Sequence, residues 1–346
     1  MKARFVKHTL KFKQPSGTSR GILRTKDSWF LILEDGENLS IGECSIIEGL
    51  NPEMAEEVEI KLQSIVNALN DVKSVDPDIF INAPSVKFAY EMALRDHKNG
   101  AIRELYKTNF LEGKGIPING LIWMGKPSFM LSQIKKKINE GYNCLKLKIA
   151  AIDFEEEIEL LQSIRNKFKA SDLEIRVDAN GGFSNIEART RLQRLSKFDI
   201  HSIEQPIAPG QWEEMAKIVY DSPIPIALDE ELISIESTVS KNELIETIKP
   251  HYIILKPSLL GGFSESEEWI DIANKNDIKW WITSALESNI GLSAITQWTS
   301  SLDLTMKHQG LGTGQLYNNN IPSPLYIDKG NIYHGKDNWD LNLIGC

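Results

Sequence analysis

Six charged residues recur at nearly even intervals through the middle of the chain, each at the end of a short apolar run. Lys146 and Lys148 flank Leu147. Asp178 comes 30 residues after Lys148, Glu204 comes 26 after that, Asp229 another 25, and Lys256 another 27. Three carboxylates brought together repel one another unless something positive sits among them. An all-carboxylate donor set suits a hard divalent cation, Mg²⁺ with Mn²⁺ as an alternative. The chemistry such a group serves is removal of a proton next to a carboxylate, because the enediolate formed carries two developing negative charges that a metal and nearby cations stabilise. A lysine acting as base has to be neutral, although an ordinary lysine titrates near ~10.4; a metal and further ammonium groups nearby disfavour one more positive charge. The pattern therefore points to Lys148 as base, to Asp178, Glu204 and Asp229 as metal ligands, and to Lys146, Asn180 and Glu230 as their electrostatic surroundings. Taken singly, each residue is ordinary: an Asp after a strand caps a helix, a Lys is a solvated charge, and Asn180-Gly181-Gly182 marks a turn. Five successive runs ending in the order Lys, Asp, Glu, Asp, Lys are not ordinary.

The elements that must hold these residues alternate regularly. Apolar, β-type runs are expected as strands at 118–123, 144–149, 174–179, 200–205, 224–229, 252–256, 280–284 and 309–313. Amphipathic helical patterns lie between them, as at 128–140, 154–168, 187–196, 211–220, 264–274 and 292–300. Eight strands interleaved with helices predict an α/β fold, a (β/α)7β barrel of TIM type, whose active sites form at the C-terminal ends of the strands. No G-x-G-x-x-G follows the first strand, which argues against a dinucleotide-binding sheet. The earlier part reads as strands at 5–12, 28–34 and 39–44, with a Gly/Ser-rich break at Ser16–Ser19 and a hairpin turn at Asp35-Gly36. Helices follow at 52–69 and 84–99. The expected organisation is an N-terminal α+β unit over residues 1–105, the barrel over 106–314, and a segment over 315–346 that returns to pack on the N-terminal unit. That tail carries Pro322 and Pro324 and no helical pattern.

Composition narrows the classes. The 346 residues are 41% hydrophobic and 25% charged with a net charge of −9, as expected of a globular protein and unfavourable for nucleic acid or an anionic membrane. Cys44, Cys144 and Cys346 are scattered, with no C-x-x-C and no His–Cys spacing, which speaks against a zinc knuckle or a disulfide framework. His8, His97, His201, His251, His308 and His334 form no H-x-H or H-x-x-x-H pair, so all six read as structural and a metal-assisted hydrolase is disfavoured. No apolar run approaches the ~18 residues of a membrane span, and a cytoplasmic enzyme is expected. No feature of the sequence sets an oligomeric state.

K-x-K (Lys146, Lys148), D-A-N (Asp178, Asn180), E-Q-P (Glu204), L-D-E (Asp229) and L-K-P (Lys256), with I-G-E-C (Ile41–Cys44) and the run Pro84–Asp96, resemble the muconate lactonizing subgroup of the enolase superfamily over nearly the whole chain. That resemblance implies a cap on a (β/α)7β barrel with the pocket at their junction, a small carboxylate as substrate, and Lys148 and Lys256 on opposite sides of it. Within the subgroup, dipeptide epimerases carry an Asp-x-Asp pair at the eighth strand where this chain has Gly312-Thr313-Gly314. The segment Ser284–Gly291 and the run Pro117–Met124 look like those of o-succinylbenzoate synthases. By that resemblance Ser284, Gly312 and Thr313 contact a succinyl arm, and Arg20 pairs with a carboxylate. Trp123 reads as core packing rather than pocket wall. Racemisation of N-succinylamino acids needs the same metal site and lysines and stays open at this point, as does a non-catalytic barrel that only binds.

Overall fold

A computed structural model describes residues 1–18, 21–150 and 152–346. The chain begins with a three-stranded antiparallel sheet, β1 (Lys2–Thr18), β2 (Gly21–Asp35) and β3 (Asn38–Ser45). Of the break expected at Ser16–Ser19, residues 16–18 belong to β1, and Ser19 lies outside the described residues. β1 runs on to Thr18 and pairs Ser16 with Leu23 after a register irregularity beyond Lys11, so the first two strands form one long ribbon. Arg20, expected in a loop there, lies outside the described residues. Two helices cover the sheet, α1 (Ala55–Asn70) and α2 (Pro84–Lys98). Pro84 opens α2, where its missing N–H costs nothing.

The I-G-E-C motif has a steric meaning. A Cβ on Gly42 would lie 1.8 Å from the carbonyl oxygen of Ala89 and 3.0 Å from the amide nitrogen of Ala93. β3 and α2 therefore touch backbone to backbone, and only glycine fits. Gly42→Ala is expected to destabilise the fold by about 1–3 kcal/mol or more, read as a lower urea midpoint at unchanged slope; an unchanged midpoint would mean that the cap tolerates a methyl group there.

After a two-residue strand β4 (Ile116–Pro117) come seven parallel strands: β5 (Gly120–Ile122), β6 (Cys144–Lys148), β7 (Glu174–Asp178), β8 (Ser202–Glu204), β9 (Ile226–Leu228), β10 (Tyr252–Leu255) and β11 (Lys279–Ile282), hydrogen-bonded in sequence order. Their residues are buried almost throughout, the signature of parallel strands covered on both sides. The intervening helices are α3 (Pro127–Asn139), α4 (Phe154–Arg165), α5 (Asn185–Leu195), α6 (Trp212–Asp221), α7 (Thr238–Ile248), the single turn α8 (Pro257–Leu260), α9 (Gly262–Lys275) and α10 (Asn289–Ser300). Side chains of Asp153, Ser184, Ser237 and Ser288 cap α4, α5, α7 and α10 by accepting from backbone N–H groups of the first turn, which ends each preceding loop at a defined place.

The expected eighth strand at 309–313 contracts to two residues. Gln309 bridges Ile118 and Gly310 bridges Thr283, both parallel, and that suffices to close the barrel. A Cβ on Gly310 would fall 2.2 Å from Thr283 Oγ1, so the closure depends on that glycine. The tail forms a hairpin, β12 (Leu325–Asp328) and β13 (Asn331–His334), and β13 pairs with β4. Elsewhere it touches the first sheet: Phe12 bridges Tyr317, and Asn318 N–H donates to Lys11 O at 2.9 Å. Among the described residues no helix is long and apolar enough to cross a membrane.

Candidate active site and metal centre

Lys148, Asp178 and Glu204 are the last residues of β6, β7 and β8, and the register pairs Lys148 with Asp178 and Asp178 with Glu204. Asp229 and Lys256 follow β9 and β10 directly. Lys146 and Lys148, two apart on one strand, face the same side. The five strand ends thus bring all six charged residues to one rim. One ligand oxygen from each of Asp178, Glu204 and Asp229 lies within 4.8 Å of the others. Lys146 Nζ is 2.8 Å from Asp178 Oδ2 and 2.5 Å from Glu204 Oε1; Lys148 ion-pairs with Asp178, and Lys256 with Asp229. The carboxylate side chains are 0%, 3% and 1% exposed, whereas Lys146, Lys148 and Lys256 keep 11%, 16% and 12%. The ammonium groups therefore face the opening and the carboxylates form its floor.

The electrostatics of that floor favour a cation. Burial pushes the Glu204 carboxyl well above the usual carboxylate range, and the charge of Asp178 adds to the push. Burial pushes Asp178 and Asp229 the same way, but Lys146 and Lys148 beside the first, and Lys256 beside the second, outweigh it and hold both low. Lys146 is raised despite its burial, chiefly because the ionised Asp178 faces it. A third carboxylate that resists ionising beside two ionised ones is a donor set short of positive charge. Its donors are all hard oxygens, so the residues fit an ion of the Mg²⁺ or Mn²⁺ type.

The loops after the strands hold this geometry by backbone strain. Asn180 and Gln205 sit at φ 45° and 40°, conformations that cost of order 1–3 kcal/mol in a non-glycine residue. Asn180 Oδ1 accepts from Lys148 Nζ at 2.8 Å, and its Nδ2 donates to Glu230 Oε1 at 2.9 Å. Gln205, fully buried, accepts from Asp229 N–H at 3.2 Å and donates to Glu231 Oε2 at 2.9 Å, tying the end of β8 to the end of β9. Gln205 was not singled out by its sequence, although its place directly after Glu204 was the available signal.

A cavity opens above the rim between barrel and cap. Lys146, Lys148, Asn180, Glu230 and Lys256 line one side, and Ser284, Gly312 and Thr313 line another. Ser284 Oγ and Thr313 Oγ1 are 2.6 Å apart. Leu23, Ile47 and Leu50 of the cap complete the wall, as do Asn119, Leu121 and Trp123. Trp123, expected in the core, faces the cavity while packing beside Leu10, Phe12, Leu286 and Tyr317. An apolar pocket wall and an apolar core look alike in sequence, which hides the role of Leu23, Ile47 and Leu50.

This chain belongs to the enolase superfamily: residues 130–334 match the family described as "Enolase C-terminal domain-like". Over 95% of its length it is 46% identical to the o-succinylbenzoate synthase of Desulfotalea psychrophila, covering 98% of that protein. The crystal structure of MenC from the same organism superposes with a TM-score of 0.85 at 42% identity, covering 96% of this chain and 99% of that one. The fold is shared more widely, as with the muconate lactonizing enzyme of Pseudomonas fluorescens, at a TM-score of 0.83 and 19% identity over 99% of this chain and 96% of that one.

Proposed function

We propose that this chain is a carbon–oxygen lyase, an o-succinylbenzoate synthase that dehydrates 2-succinyl-6-hydroxy-2,4-cyclohexadiene-1-carboxylate in menaquinone biosynthesis. The observation that carries the substrate is the likeness to the Desulfotalea synthase over 95% of this chain and 98% of that one; the rim of carboxylates and lysines carries the chemistry. Asp178, Glu204 and Asp229 would hold Mg²⁺, with Mn²⁺ as a substitute, which when bound supplies Lewis-acid stabilisation to the substrate carboxylate as negative charge gathers on it. Lys148 takes the proton from the carbon bearing that carboxylate. The electron pair of the broken C–H bond becomes a ring double bond as the C–O bond to the hydroxyl breaks. Lys148 then returns its proton to the departing hydroxide, so water leaves and the ring becomes aromatic. One amine does both because proton and hydroxide leave from the same face. Lys256, bonded to Asp229 at the next strand end but one beyond Glu204, sets a cation against the other face of the ring. Lys146, Asn180 and Glu230 fix the charges around these groups. Ser284, Gly312 and Thr313 receive the succinyl arm through hydroxyl and backbone N–H groups, and Arg20 pairs with a substrate carboxylate. Residues 1–105 act as the cap, 106–314 as the barrel and 315–346 as the returning segment. The enzyme works on a small-molecule carboxylate in the cytoplasm.

Racemisation of N-succinylamino acids would use the same lysines. The test compares kcat/KM for the cyclohexadiene carboxylate and for an N-succinylamino acid, each with Mg²⁺. The expected result is preference for the cyclohexadiene; preference for the amino acid would reassign the enzyme as a racemase.

A further inference from the structure

At the opposite end of the same strands the barrel holds a second convergence of metal-ligating side chains. Cys144 and Glu174 are the first residues of β6 and β7 and are paired in register, as Lys148 and Asp178 are at the other end. Four residue steps along the strand separate the two places by about 13 Å. His308 reaches the same spot from the segment that closes the barrel. Ligand atoms of Cys144, Glu174 and His308 lie within 4.8 Å of one another, although 164 residues separate the cysteine from the histidine.

The histidine is set up to ligate. Its Nε2 is 2.8 Å from Asn143 Oδ1. An amide oxygen only accepts, so Nε2 donates to it, and Nδ1 is the ring nitrogen placed to ligate. That Nδ1 is buried and has no hydrogen-bond partner, in a side chain 7% exposed, and it lies 3.6 Å from Glu174 Oε2. A ligating histidine whose other ring nitrogen is fixed by an oxygen acceptor is the arrangement that orients imidazoles on metals. Glu174 is held as well: its Oε1 accepts from Arg176 Nε at 2.7 Å and from Cys144 Sγ at 3.3 Å, which leaves Oε2 turned to the histidine. Arg176 also donates from Nη1 to His308 O at 3.0 Å and lies 4.5 Å over the Trp281 ring, so one rigid guanidinium positions two of the three ligands. Glu174 keeps 25% of its side-chain exposure, which provides the way in.

We propose that Cys144, Glu174 and His308 form a structural site for a borderline-soft divalent cation, zinc in the first instance, at the N-terminal mouth of the barrel. Sulfur, nitrogen and oxygen donors suit zinc, and binding releases the Cys144 thiol proton to solvent. The site lies on the face of such barrels that serves stability rather than chemistry. It joins β6 and β7 to the two-residue closure at Gln309–Gly310, the shortest link in the ring. None of its three residues takes part in the proposed reaction.

Cobalt(II) is the probe. The full chain, stripped with a chelator and saturated with Mg²⁺ to fill the carboxylate rim, is titrated with one equivalent of Co²⁺. A thiolate-to-cobalt charge-transfer band in the near ultraviolet is expected, and the carboxylate rim, which has no cysteine, cannot produce it. The band should be lost in Cys144→Ser and in His308→Gln, and kept in Cys346→Ser. Asn143→Ala, which removes the partner of Nε2, should weaken cobalt binding by about 10–100-fold. Zinc should raise the Tm of the parent protein and leave that of His308→Gln unmoved. No band in the parent protein, or a band that survives either Cys144→Ser or His308→Gln in a variant folded by circular dichroism, overturns the proposal.

Discussion

Lys148→Ala is expected to remove turnover almost completely while leaving the fold intact. A positioned acid or base is worth about 10²–10⁴-fold, and in the proposed reaction Lys148 serves in both capacities. The loss should therefore reach the upper end of that range and fall on kcat rather than on KM. Structure should survive because the side chain lies at the edge of the cavity, and Asp178 keeps Lys146 as a partner at 2.8 Å. The measurement is kcat on the cyclohexadiene carboxylate together with exchange of the substrate's α-proton into D₂O. Both should vanish at an unchanged Tm. Turnover within tenfold of the parent would remove Lys148 from the role of base.

Glu204→Gln separates metal binding from folding. In the metal-free protein Glu204 resists ionisation because burial and the charge of Asp178 both oppose it. Its folded pKa thus lies above its unfolded one. Such a group contributes stability that is fully present below the ordinary carboxylate range and is lost as pH rises through the raised value. Replacing it with the isosteric amide removes that pH-dependent loss, so at neutral pH the metal-free variant should be at least as stable as the metal-free parent. The same change removes one ligand oxygen's charge. The rise in Tm that Mg²⁺ confers by binding the native state should shrink to near zero, and activity should fall by orders of magnitude. Parent and variant are to be compared by thermal unfolding between pH 4.5 and 8, with and without Mg²⁺. An unaltered Mg²⁺-induced rise would exclude Glu204 from the metal site.

Much of the rim was legible because it rests on local facts. A run such as Glu174–Val177 ends in Asp178 by composition alone, and parallel pairing in sequence order then sets consecutive strand ends side by side. What was not legible depends on pairs far apart in the chain. Cys144 and His308 show no motif spacing, yet the barrel's closure makes them neighbours. Leu23 of β2 lines the cavity only because the ribbon of β1 and β2 packs against barrel residues such as Trp123 and Leu286. The hairpin of β12 and β13 had a local signal that Pro322 and Pro324 obscured: alternating apolar residues on either side of Lys329-Gly330, both at positive φ, the requirement of a tight two-residue turn. The Ser284–Gly291 segment, read as a family likeness, has a physical reason of its own. Ser288 caps α10, Glu287 accepts from Ala285 N–H at 2.8 Å within the cavity-lining loop, and Gly291 leaves room for a carboxylate from the cap, which a Cβ there would meet at 2.9 Å.

That carboxylate is Glu43 of β3, fully buried. It accepts from Ser28 Oγ at 2.9 Å within the cap, and from Ser288 N–H, Ser288 Oγ and Gly291 N–H at 2.8, 2.6 and 2.8 Å across the seam. The cap thus supplies the negative charge that the start of α10 needs, and α10 begins where the loop from Thr283 to Leu286 leaves the cavity. Grafting is therefore constrained: a foreign cap that brings no acid at this position would leave the dipole of α10 unanswered and let the cavity-lining loop drift. Cap and barrel are bound to vary together, and a new specificity in this scaffold has to be selected on both halves at once.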